Sequence, residues 1–189
     1  MHASSSRRLA ALVTLAVAAA PVTLAAQATT RPTFGVSAGA AVPVSTFGDA
    51  VNTGFNVSGH IGFKPAMSPV GLRLEGMYNQ FGLKGANDLD AKLIAGTGNI
   101  VIMSAAAPGS IRPYFIGGLG VYNLKLSSSA GSTDGATKFG LNGGAGLDLA
   151  LSGLNTFVEA RYHHVFTKEG DAGVSTNTAF IPIVVGVRF

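Results

Sequence analysis

Eight residues able to carry a charge or a proton, His60, Lys64, Arg73, Glu75, Asp148, Glu159, Arg161 and Arg188, each sit on the polar parity of a stretch that alternates with apolar residues. Both signs of charge are present, so their readiest chemistry is mutual pairing of guanidinium or ammonium with carboxylate. Inside a narrow structure such pairing is compulsory, because a buried charge left alone costs far more than a satisfied one. The expectation is a structural ion-pair network of Lys64, Arg73, Glu75, Asp148, Glu159, Arg161 and Arg188, with His60 beside it. A sharper alternative is a gated path for small solutes, opened when the pairs swap partners.

Other chemistries fare worse. His163 and His164 are adjacent, and adjacent strand residues point to opposite faces, so the pair cannot chelate one ion from a regular strand. His163 belongs with the inward set, and His164 with the interface. A Ser-His-acid arrangement needs a nucleophile beside the base, and the strand of His163 offers no hydroxyl before Thr167. The chain has no cysteine, hence no thiolate and no disulfide framework. The glycine-rich run at 140–146 lacks the Lys-Ser/Thr ending and the following helix of a phosphate loop. No catalytic residue, cofactor site or metal site is therefore expected. Asp49, Asp88, Asp90, Asp134, Glu169 and Asp171 fall in connecting segments. They are read as solvated, with divalent-cation bridging to lipopolysaccharide or contact with a partner as the alternatives.

The elements that position these residues are strands, for the apolar residues recur with period two. In 54–64, Phe55, Val57, Ile61 and Phe63 oppose Asn56, Ser58, His60 and Lys64. In 34–44, Phe34, Val36, Ala38, Ala40, Val42 and Val44 share a face; in 70–80, Val70, Leu72, Leu74 and Tyr78 oppose Arg73, Glu75 and Asn79. The pattern continues with Phe139, Leu141, Ala145, Leu147, Leu149 and Leu151 in 138–151, and with Val158, Ala160, Tyr162 and Phe166 in 156–166. It ends with Ala179, Ile181, Ile183, Val185, Val187 and Phe189 in 179–189. In 92–104 both parities are partly apolar, so the outward face stays open. In 112–126, the tyrosines and the glycine run 117–120 suit an interior and favour Phe115, Leu119 and Val121 outside, without fixing that choice.

Only 12% of the 189 residues are charged while 47% are hydrophobic, against roughly 25% charged in ordinary soluble domains. Something other than water must face much of this surface. Residues 1–28 have Arg7 and Arg8, an apolar stretch and an Ala-Gln-Ala ending at Ala28, the build of an export signal. That leaves 29–189 as one mature domain. Removing the signal lowers the net charge of +4, and the remaining cations are scattered, so no nucleic-acid surface is expected. No later run is long enough for a spanning helix, so membrane entry would require a closed barrel. Segments 65–69, 106–111 and 152–155 are short, whereas 45–53, 82–91, 127–136 and 167–177 are longer and rich in Gly, Asp, Ser and Asn. Long and short alternate, as in barrels with brief periplasmic turns and extended outer loops.

The signal, the dyad-patterned strands, the segment PYFIGGLGVY at 113–122 and the ending VGVRF at 185–189 together resemble the small outer-membrane barrel proteins of the OmpA/OmpX type. The resemblance implies an all-β fold: an eight-stranded antiparallel up-and-down transmembrane β-barrel with both termini on the periplasmic side. It also implies an outer-membrane location in a Gram-negative-type envelope, contact with lipid and lipopolysaccharide, and a monomeric state. Ile181, Ile183, Val185, Val187 and Phe189 match the ending read by the barrel-assembly machinery in that family. No peptidoglycan-binding domain is expected. The expected role is structural or interactive, through the outer loops. The alternatives are a narrow porin-like channel, a lipid A-modifying enzyme and a soluble lipocalin-like barrel with its apolar parity inward.

Overall fold

The computed structural model describes residues 32–66, 68–85, 89–104, 111–128, 131–132, 135–151, 154–166 and 178–189. The expected export signal lies outside them. Strands dominate: β1 Pro32–Val44, β2 Gly54–Phe63, β3 Val70–Gly82, β4 Leu89–Met103, β5 Ile111–Ser128, the two-residue β6 Gly131–Ser132, β7 Ala136–Leu151, β8 Leu154–Val165 and β9 Thr178–Arg188. Each long strand pairs antiparallel with its chain neighbours, and β1 pairs with β9, so eight long strands close a barrel without edges. β6 only extends the β5 ladder at Ser127 and Ser128. At the seam the amide N–H of Phe34 donates to the carbonyl of Phe189 at 2.9 Å, and that of Phe189 returns the bond to Phe34 at 2.9 Å. Among the described residues no helix is long and apolar enough to cross a membrane.

Parity decides which side chains face out. Phe139 is 73% exposed, Phe115 68% and Leu119 65%, with Leu72, Leu74, Ile94, Ile100, Ile183 and Val185 around them on the same outer surface. Each large apolar side chain left in water forgoes about 1.5–3 kcal/mol, so a belt of this kind is built for lipid. The lipocalin-like alternative requires the reverse. The two strands with apolar residues on both parities are also resolved: Ile94, Ile100 and Ile102 face out from β4, and Phe115, Leu119 and Val121 from β5. Leu93, Val101, Tyr114, Ile116 and Tyr122 are buried inside.

Four expectations need correction. Ala179, expected in the outer set, is buried; it pairs in register with Val44 and His164, larger side chains that flank a methyl group too short to emerge between them. Asp90 is not in a loop but in β4, where its carboxylate accepts a hydrogen bond from Gln80 Nε2 at 2.8 Å. Because β3 and β4 run further than the alternation indicates, the connection 83–88 is shorter than 104–110 on the other side, so the strict long-short succession fails there. Segment 45–53, expected as a loop, contains a helix, α1 Ser45–Ala50. Ser45 enters it with φ of 56°, and the bridge Val51–Leu83 and a bond from Lys84 Nζ to the Gly48 carbonyl at 2.6 Å hold it against the next connection.

Glycines shape the interior where aromatic rings lie on the neighbouring strand. A Cβ at Gly146 would collide with the Tyr114 ring, one at Gly186 with Phe157, and one at Gly35 with His60. Large rings can therefore lie flat along the wall of a barrel that is otherwise too narrow for them.

Candidate functional site

β2, β1 and β9 separate β3 from β8 on one side, and β4, β5 and β7 separate them on the other. The two strands are therefore diametrically opposed. β3 carries Arg73-Leu-Glu75 and β8 carries Glu159-Ala-Arg161; in each, the two charged residues share the inward parity. Across the lumen Arg73 Nη1 meets Glu159 Oε2 at 2.6 Å, and Arg161 Nη2 meets Glu75 Oε1. Along the strands Arg161 Nε reaches Glu159 Oε1 at 2.7 Å and Arg73 Nη1 lies 3.8 Å from Glu75 Oε2. The four charges form a ring with no net charge. Glu159 is its hub: only 2% exposed, it also accepts the Tyr114 hydroxyl at 2.5 Å. Arg73 further lies over the Tyr114 and Phe157 rings, at 5.5 and 5.7 Å from their centroids. Taking such ions out of water costs several kcal/mol each, offset only when nearly every donor and acceptor is met.

Toward the terminal end, where β1 begins and β9 finishes, Arg188 Nη1 contacts Asp148 Oδ1 at 2.5 Å. Arg188 stacks over Phe157 and Tyr114, 4.6 and 5.4 Å from their centroids. Six of the seven charges expected inside thus fall into one quartet and one pair. Lys64 does not join them. β2 ends at Phe63, so Lys64 leaves the sheet, is exposed, and makes no ion pair among the described residues. A cavity of about 220 Å³ opens at this end, lined among others by His60, Lys64, Arg73, Arg112, Asp148 and Arg188.

Toward the opposite, loop end an apolar cluster surrounds the buried, hydrogen-bonded pair Asn56 and Asn79. Ala41, Val51, Met77, Phe81, Ala91, Leu93, Ala95, Tyr122, Val165 and Phe180 pack together there. α1 contributes Phe47, whose ring meets Phe81 edge-on at 5.1 Å; Phe81 meets Phe180 at 5.9 Å, and Phe180 stacks on His163 at 4.9 Å. Sequence reasoning misses this cluster. Its one signal is the doubly apolar character of 92–104, which marks a strand that fills the barrel as well as facing lipid.

The histidines divide as their parities require. His163 is fully buried, and its Nδ1 lies 2.9 Å from the Tyr122 hydroxyl. His164 is outside, stacked on Tyr162 at 6.3 Å and edge-on to Phe166 at 5.4 Å. Among the described residues no three His, Cys, Asp or Glu side chains gather as a metal site would require. Of the ending, Ile183, Val185 and Phe189 project into the outer belt, while Ile181 and Val187 are half-buried beside them. The acids Asp88, Asp134, Glu169 and Asp171 lie outside the described residues; Asp49 is exposed on α1.

A closed, eight-stranded, lipid-faced barrel defines a class of integral outer-membrane proteins. The chain belongs to the outer membrane protein β-barrel domain family, whose model matches residues 9–189. The protein is accordingly located in the outer membrane. Among solved structures it is similar to Neisserial surface protein A, at 18% identity over 83% of this chain and 95% of that one, with a TM-score of 0.66. It is also similar to a major outer membrane protein from Thermus thermophilus, at 12% identity over 84% and 100% of the two chains, with a TM-score of 0.53. The outer membrane enzyme PagL matches at 17% identity over 83% and 98%, with a TM-score of 0.46. At these identities the likeness is one of fold. A comparison with curated protein sequences found no match.

Proposed function

We propose that this chain is a non-catalytic, monomeric barrel with a structural and interaction role, its strands fixed in lipid and its lumen plugged, with specific binding done by the loop end. One observation carries the reading. The neutral ring of Arg73, Glu75, Glu159 and Arg161 spans the lumen, and the apolar cluster under Phe47 fills the half beyond it. A side chain committed to such packing is not free to act on a substrate. His163 supports the same view, since its neighbours are a phenol and a phenyl ring rather than a nucleophile and an acid.

In this reading the terminal end faces the periplasm and the loop end faces outward, where the loops meet lipopolysaccharide or a partner. Ile181, Ile183, Val185, Val187 and Phe189 serve as the ending that the barrel-assembly machinery reads. The test is conductance of the refolded protein in planar bilayers, where silence at all voltages is expected. Steady single-channel openings would overturn the plug and favour a narrow channel, the second reading. What favours that alternative is the cavity at the terminal end, which already reaches Arg73. Lipid A mass spectra should be unchanged on expression; a new lipid A species would instead make the protein an enzyme.

A further inference from the structure

The cavity at the terminal end has a composition that packing does not explain. Its walls carry four cations, Lys64, Arg73, Arg112 and Arg188, and one acid, Asp148. Asp148 is already engaged by Arg188 Nη1, and Arg73 by Glu159. Lys64 and Arg112 are exposed at the mouth and have no ion-pair partner among the described residues. Deeper in, His60 is 5% exposed, yet neither of its ring nitrogens has a hydrogen-bond partner among the described residues; Nη2 of Arg188 is likewise buried and unmatched. In either tautomer a neutral imidazole offers one N–H. The cavity therefore gathers more donors than its own walls can satisfy. Buried donors left unsatisfied are costly, and an acceptor entering the cavity would relieve that cost.

We propose that this vestibule binds a phosphate-type oxyanion, seated on Arg188 Nη2 and the His60 N–H and steered in by Lys64 and Arg112. The donor set selects the ligand class. Guanidinium forks match the spread oxygens of phosphate better than a compact halide. A neutral His60 donates without adding charge, while Asp148, held by Arg188, disfavours a deeper approach on its own side. The space of about 220 Å³ is enough for a phosphoryl group with part of its hydration. The same chemistry could be supplied by free phosphate or by the headgroup of a phospholipid at the barrel rim.

The test uses the full mature barrel refolded in detergent, titrated with inorganic phosphate and followed by calorimetry and by the NMR shifts of labelled His60. Saturable binding that moves the His60 ring resonances is expected, weaker by at least tenfold in the K64A/R112A double variant. Both residues are exposed, so that variant should keep its heat-modifiable migration. Equal binding of chloride would reduce the site to general charge screening, and saturable binding that leaves the His60 ring resonances unmoved would place the phosphate elsewhere; either overturns the proposal, as does the absence of saturable binding. In nanodiscs free of added phosphate, a His60 shift with phosphatidylglycerol but not with an uncharged lipid would identify the headgroup as the source. No shift there, with binding in detergent, would identify the free ion. None of these outcomes depends on whether the lumen conducts.

Discussion

Glu159 touches three groups at once: Arg73 across the barrel, Arg161 two residues on, and the Tyr114 hydroxyl. Removing it strands a buried guanidinium without its close carboxylate partner. Glu159→Leu should therefore lower stability by about 3–5 kcal/mol, read as a fall in the urea midpoint of the barrel in lipid vesicles. The combined R73M/E75L/E159L/R161M variant removes all four charges together and should unfold near or above the wild-type midpoint, because no charge is left behind. If it proves as unstable as Glu159→Leu, packing rather than charge governs the site. Gly146→Ala is a separate probe: its methyl must displace the Tyr114 ring, at about 1–3 kcal/mol for an overpacked interior. The inward placing of Arg73, Glu75, Glu159 and Arg161 is legible in the sequence because each shares its parity with other polar residues. Their pairing is not, since opposition of β3 and β8 exists only once the sheet has closed. Lys64 misleads for a related reason: parity persists on paper beyond the point where β2 stops.

At the scale of elements, the exterior of β3 gives the cleanest test. Leu74 lies on the lipid face between two residues of the buried quartet. Leu74→Arg should cost about 2–4 kcal/mol if that position lies near the bilayer midplane, measured by the same denaturation in vesicles, and far less if the face were in water. Period two is readable in β1, β2, β3, β7, β8 and β9 because lipid outside and polar side chains inside impose opposite chemistry on alternate residues. It blurs in β4 and β5 because Leu93, Val101 and Ile116 help fill the lumen, so both faces there are apolar. α1 escapes a sequence reading because it has no side-chain cap and no acid in its first turn. Its position comes from Phe47 entering the lumen, a tertiary contact that local sequence does not announce.

The whole molecule depends on a seam between its first and last strands. Phe189 closes that seam through its backbone, while its ring stands 73% exposed among lipid-facing residues. Phe189→Ala removes a ring that packs against little, so the equilibrium midpoint should hold within the range of an ordinary surface change, about 0.5 kcal/mol. Folding in vesicles containing the assembly machinery should nevertheless slow, and folding in vesicles without it should not. Equal rates in both would remove the recognition role proposed for this ending.

The charge ring has a consequence in time as well as in space. Arg73 and its partner Glu159 are 86 residues apart in the chain, as are Glu75 and Arg161. A half-made sheet that entered the bilayer strand by strand would carry Arg73 and Glu75, only loosely paired at 3.8 Å on β3, into hydrocarbon long before β8 could supply their close partners. The bilayer would reject such an intermediate, for ions without partners are expensive there. The expected order is thus curling and closure first, or closure at the moment of insertion. The quartet then acts as a checkpoint: a chain can settle in the membrane only after its far halves have met.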